Sequence, residues 1–77
     1  MISKDDIQAM IQDGLPDATV EVIGDDGAHF QATVISRSFE GQSVVAQHRM
    51  VYATLGDKMG GEIHALALST RVPPSEG

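Results

Sequence analysis

The sequence predicts a small α+β sandwich, ordered helix–strand–strand–helix–strand, with two helices covering one face of a three-stranded sheet. Three observations lead there. Two segments repeat their apolar residues at steps of three and four. Two more alternate apolar and polar residues, and a third short apolar run lies near the C-terminus. The 77 residues make one domain, and a chain this short buries only about 60% of the surface its unfolded form exposes.

The first helix begins at Ser3, a capping residue, with Asp5 and Asp6 placing negative charge in the first turn, where the helix dipole favours it. Ile7, Met10, Ile11 and Leu15 form its apolar stripe, and Gly14 and Pro16 end it. The segment 18–24 alternates, with Val20 and Val22 on one side and Thr19, Glu21 and Ile23 on the other. Gly24-Asp25-Asp26-Gly27 signals a tight hairpin, because Asp and Gly tolerate the positive φ that such turns require. The second strand follows, with Phe30, Ala32 and Val34 on one face and Gln31, Thr33 and Ile35 on the other. The two strands pair antiparallel. Residues 36–43 form a polar connection carrying Phe39, with Gly41 permitting a sharp turn and Ser43 capping the next helix. Val44, His48, Val51, Leu55 and Met59, widened by Val45 and Tyr52, predict a helix from Val44 to about Met59, stopped by Gly60-Gly61. The last strand runs from Glu62 to about Ser69. Residues 1–70 are therefore expected to form the domain, with 71–77 a frayed, Pro-containing tail.

Composition narrows the function. With no cysteine, disulfides, thiol nucleophiles and an all-protein thiolate metal site are excluded, and a reducing cytoplasm is the expected location. A net charge of −6 repels a phosphate backbone at long range, although Arg37, Arg49 and Lys58 leave room for a local basic patch. No apolar run approaches spanning length and acids stud the first fifteen residues, so neither a membrane span nor a signal peptide is expected. No catalytic constellation is legible: no Ser elbow and no HExxH helix. Asp25 and Asp26 read as turn formers before they read as a cation site.

The chain has three histidines. His29, beside the hairpin, reads as a polar strand entrance or a loop ligand. His48 lies within a helical apolar stripe, the ordinary place for a histidine bonded to a backbone carbonyl. His64 breaks an apolar strand. Strand parity puts Ile63, Ala65 and Ala67 on one face and His64, Leu66 and Leu68 on the other. Both faces are apolar and two helices cover only one, so spacing leaves ligand and structural histidine equally open.

Four marks in sequence order resemble the BolA family. They are His29-Phe30 at the second strand, the Val34-to-Gly41 connection of form V-x-S-x-x-F-x-G, the His48-Arg49-Met50-Val51-Tyr52 helix, and Ile63-His64-Ala65-Leu66. The short hairpin is similar to the bacterial acid-stress subgroup. The resemblance implies an α-β-β-α-β, class II KH-like fold and a non-enzymatic adaptor. It implies a heterodimer with a monothiol, CGFS-type glutaredoxin in which a [2Fe–2S] cluster bridges the chains, in iron–sulfur trafficking or iron and stress regulation. The cluster ligand of the strand carries over to His64, and the glutaredoxin cysteine and a glutathione thiol complete the other side. The family's second ligand comes from the first hairpin as Cys or His. That loop has no Cys here, which makes His29 the candidate and Asp26 a less suitable substitute, since iron–sulfur sites use mainly thiolate and imidazole. Neutral imidazole ligands leave such a cluster less negative and raise its potential, and protonation competes with binding as pH falls towards about 6.5, the reference histidine value. The isolated chain is expected to hold no cluster, and homodimerises, if at all, in its apo form.

On this reading Leu66, Leu68 and Phe39 are the candidate partner contacts, and Ile63, Ala65 and Ala67 are core. The alternative is a KH-like DNA-binding transcriptional regulator, using Arg37, Gly41 and Arg49 around the turn and the helix that follows it.

Overall fold

The computed structural model describes residues 2–24, 29–63 and 65–74. Residues 25–28, with Asp25 and Asp26 of the expected hairpin turn, His64, Met1 and residues 75–77 lie outside the described residues.

Helix α1 spans Lys4–Gly14. It starts where the sequence places it, and more tightly than a single cap would hold it. The Ser3 hydroxyl accepts from the Asp6 N–H at 3.1 Å, while the Asp6 carboxylate accepts from the Ser3 N–H at 3.0 Å. This reciprocal pair satisfies two of the donors that a helix start leaves over. It also lowers the Asp6 pKa, through the backbone bond first and the hydroxyl bond second. At the far end the Gln12 amide donates to the Ala18 carbonyl at 2.7 Å, which fixes the turn from α1 into the sheet.

Strands β1 (Thr19–Ile23) and β2 (His29–Ile35) pair antiparallel, Ile23 opposite Gln31 and Thr19 opposite Ile35. Strand β3 (Ala65–Arg71) lies parallel to β2 on its other side, so β2 is central and the order is β1-β2-β3. A parallel neighbour requires a crossover. It is made by a short 3₁₀ turn (Arg37–Phe39), helix α2 (Val44–Leu55) and a second 3₁₀ turn (Gly56–Lys58). The chain is α+β, two helices on a three-stranded mixed sheet.

The core lies between the helices and one sheet face. Ile7, Ile11, Val20, Val22, Phe30, Ala32, Val34, Val51, Leu55 and Ile63 are buried there, with Leu66 and Leu68 partly buried against them. The expected parity of β3 holds, but the face assigned to each row is reversed. Leu66 and Leu68 stand opposite Phe30 and Ala32 and share their inward face, whereas Ala65 and Ala67 stand opposite His29 and Gln31 and are exposed. Ile63 is core for another reason. It sits in a turn, donates its N–H to the Lys58 carbonyl, and bridges Met59 outside the strand.

The α-helical part of α2 ends at Leu55, four residues short of the expected Met59. Gly56 caps it at φ 57°, a left-handed value that favours glycine. The buried stripe is Gln47, Val51 and Leu55. Val44 and Val45, expected within it, are 63% and 60% exposed. Gln47 is buried because it is satisfied: its amide donates to the Gln42 carbonyl at 2.9 Å, and its oxygen accepts from the Thr70 hydroxyl at 2.7 Å. His48, also assigned to the stripe, is half-buried and meets Tyr52 edge-on, ring centroids 6.4 Å apart. At the C-terminal end Arg71 belongs to β3, one residue beyond the expected boundary at 70.

Candidate functional site

The helices leave the second face of the sheet open. Register arranges it in rows: His29 beside Ala65; Ile23, Gln31 and Ala67; Glu21, Thr33 and Ser69; Thr19, Ile35 and Arg71. At the His29 end this face dips into an open concavity of about 610 Å³, lined by Lys4, Ile23, Gly24, His29, Gln31 and Ala65 among others. His29 is exposed at the first position of β2. Its register partner, Ala65, is the residue that follows His64 in the chain. Lys4 enters the concavity from the first turn of α1, a placement that spacing could not reveal because it depends on how α1 packs over the sheet end. Its charge favours an anionic occupant.

Among the described residues no group of three or more His, Cys, Asp or Glu side chains could hold a metal ion. His29 supplies one exposed imidazole. Imidazole is a donor that iron–sulfur groups accept, and one such donor leaves the remaining ligand positions to other groups.

The other candidates divide. Phe39 is fully buried. It cannot serve as a partner contact, because the 3₁₀ turn drives its ring into the core. Leu66 and Leu68 point to the helix side, so the open face of β3 offers Ala65, Ala67 and Ser69 in their place. Arg37, Gly41 and Arg49 are all exposed, and Gly41 (φ 77°) has open space where a side chain would stand.

Sequence reasoning missed one built feature at the opposite end of the sheet. The Asp17 carboxylate accepts from the Ser36 hydroxyl (2.7 Å), the Arg37 N–H (3.1 Å) and the Ser38 hydroxyl (3.1 Å). The Ser36 hydroxyl in turn accepts from the Ser38 N–H at 3.0 Å. The bond from the Ser36 hydroxyl leads in holding the Asp17 carboxyl below its ordinary value. The node caps the turn that buries Phe39, which is why the S-x-S-F stretch reads as it does.

The connection motif is thus structural: buried Ser36, buried Phe39 and a left-handed Gly41. The BolA-like protein family model matches residues 9–75. The chain belongs to the BolA family. BolA-like protein 1 of Homo sapiens is 33% identical over 76 residues, covering 87% of this chain and 56% of that protein. The DNA-binding transcriptional regulator BolA of Vibrio cholerae is 49% identical over 43 residues, covering 56% of this chain and 41% of that protein. The chain thus spans about half the length of these relatives. The structure of a BolA protein homologue from Coxiella burnetii superposes with a TM-score of 0.83 at 43% identity, covering 95% of this chain and 94% of that one. As a BolA protein the chain shares their two-helix, three-strand architecture. No helix among the described residues is long and apolar enough to cross a membrane.

Proposed function

We propose that this BolA protein is a non-catalytic adaptor that binds a monothiol glutaredoxin and shares a bridging [2Fe–2S] cluster with it. His64 and His29 are the ligands from this chain; the glutaredoxin cysteine and a glutathione thiol are those from the other side. The observation that carries the reading is His29, an exposed imidazole on the open sheet face, in register with the residue after His64 and beside a concavity that also holds Lys4. The cluster, when bound, supplies an exchangeable iron–sulfur unit. This chain's part is to offer imidazole nitrogens, to set Lys4 near the anionic thiolates, and to present Ala65 and Ala67 as a surface without bulk that a partner can approach closely. The test is a mixed reconstitution with a CGFS glutaredoxin, glutathione, iron and sulfide, read by visible absorption and circular dichroism. Substituting His29 or His64 by Ala is expected to change the spectrum of the mixture; unchanged spectra for both variants would refute the assignment.

A second reading is favoured by the likeness to the Vibrio cholerae relative, a DNA-binding transcriptional regulator. In it Arg37, Gly41 and Arg49 approach the phosphate backbone. The net charge of −6 opposes it. A gel shift at moderate salt decides, since a sequence-preferring complex abolished by Arg37→Ala and Arg49→Ala would establish it.

A further inference from the structure

The two edges of the sheet are built differently. β1 is five residues long and carries Glu21 at its centre. Paired antiparallel with itself about that centre, it would set Glu21 against its own copy, and like charges directly opposite are destabilising. β3 has no such guard. From Ala65 to Thr70 it holds no charge, proline or glycine, and the first prolines come at Pro73 and Pro74. Long, uncharged edges of this kind invite pairing, and proteins ordinarily blunt them.

Backbone direction says which groups are offered. The Arg71 carbonyl accepts from the Ser36 N–H at 3.0 Å, so Arg71 aims its backbone groups at β2. With a period of two, Ala65, Ala67 and Ser69 do the same. Leu66, Leu68 and Thr70 therefore aim N–H and C=O away from the sheet, and no backbone group among the described residues meets them. Their side chains are the ones the helices leave half-exposed, whereas the inward residues of β1 and β2 are buried, Thr33 and Ile35 lying on the open face.

We infer that a second copy of this chain occupies the β3 edge, pairing β3 antiparallel with itself about a two-fold axis at Leu68. Only this centre overlaps all seven residues of the strand. It sets Leu68 against Leu68 and Leu66 against Thr70 on the core side, Ala67 against Ser69 on the open face, and Arg71 against Ala65. No like charges oppose one another, and all eleven acids of the chain lie outside residues 63–75. The product is a continuous six-stranded sheet with the His29 ends at its two extremes. Seven residues give an overlap about 23 Å long. A strip of that length buries about 300 Å² per copy, well below the roughly 800 Å² of a stable pair. The dimer is therefore weak and depends on concentration.

The chain has no cysteine, so register can be read by introducing pairs. Ala67 and Ser69 would form a non-hydrogen-bonded pair with Cα atoms about 4.5 Å apart, within the span a disulfide bridges. The double variant Ala67→Cys/Ser69→Cys should cross-link under mild oxidation at least about ten-fold faster than Ala67→Cys alone, whose thiols do not face each other. In the wild-type chain, sedimentation equilibrium from about 10 μM to about 1 mM should show dimer growing in. Over the same range hydrogen exchange should slow at the Leu66, Leu68 and Thr70 amides and stay unchanged at Ala67 and Ser69. Equal cross-linking by the single and double variants would overturn the register. A wild-type chain monomeric throughout would overturn the second copy as occupant and leave the edge to an extended segment of a different protein.

Discussion

Phe39→Leu tests the reassignment of Phe39 from partner contact to core. The ring is fully buried in the turn that the Asp17 node caps. Truncation to Ala would cost about 3–5 kcal/mol. A 77-residue domain at ordinary stability per residue has only about 4–12 kcal/mol in total, so Ala risks an unfolded chain. Leu keeps most of the volume and should cost about 1–1.5 kcal/mol. In urea, followed by far-ultraviolet circular dichroism, the slope should be unchanged and the midpoint should fall by about 1 M for a slope near 1 kcal/mol/M. The melting temperature should drop by about 4–12 °C. Glutaredoxin binding, measured well below the new melting temperature, should be unaltered. Unchanged stability together with lost partner binding would refute the reasoning and return Phe39 to the surface.

Ser3→Ala removes the hydroxyl half of the capping box, the bond accepted from the Asp6 N–H, and leaves the backbone N–H of that position on the Asp6 carboxylate; it should cost about 1 kcal/mol by the same urea titration. Asp17 has a folded-state pKa below its ordinary 3.8, so its contribution is complete above that value and is lost as pH falls through the lowered folded value. Asp17→Asn should accordingly be less stable at neutral pH, and its melting temperature should fall less steeply than wild type as pH drops below the ordinary value. Gly24→Ala would bring a Cβ within 2.7 Å of the His29 carbonyl oxygen and of the Phe30 ring. It should destabilise by about 1–3 kcal/mol and shift the amide resonances of His29 and Phe30 in a heteronuclear correlation spectrum.

The order of elements, the antiparallel pairing of β1 and β2 and the caps at Ser3 and Ser43 were legible because each rests on local chemistry with one solution. Strand β3 was not, because both of its faces are apolar and period two cannot choose between them. The signal that was available is bulk: Leu66 and Leu68 displace more water than Ala65 and Ala67, and the larger row goes inward. In α2 the periodic apolar residues misled, since Gln47 is buried through bonds to Gln42 and Thr70 that no spacing reveals, while Val44 and Val45 stay outside. Of the candidate site, His29 was legible as a strand entrance. Its exposure on the open face, its register with Ala65 and its company with Lys4 follow from tertiary packing alone.

The most direct test of the shared-cluster account is the mixed reconstitution with His29→Ala and His64→Ala run beside wild type. The account predicts a visible circular dichroism spectrum for the wild-type mixture that differs from that of glutaredoxin alone and is altered by each substitution. A wild-type mixture indistinguishable from glutaredoxin alone, or a mixture indifferent to both substitutions, would contradict it.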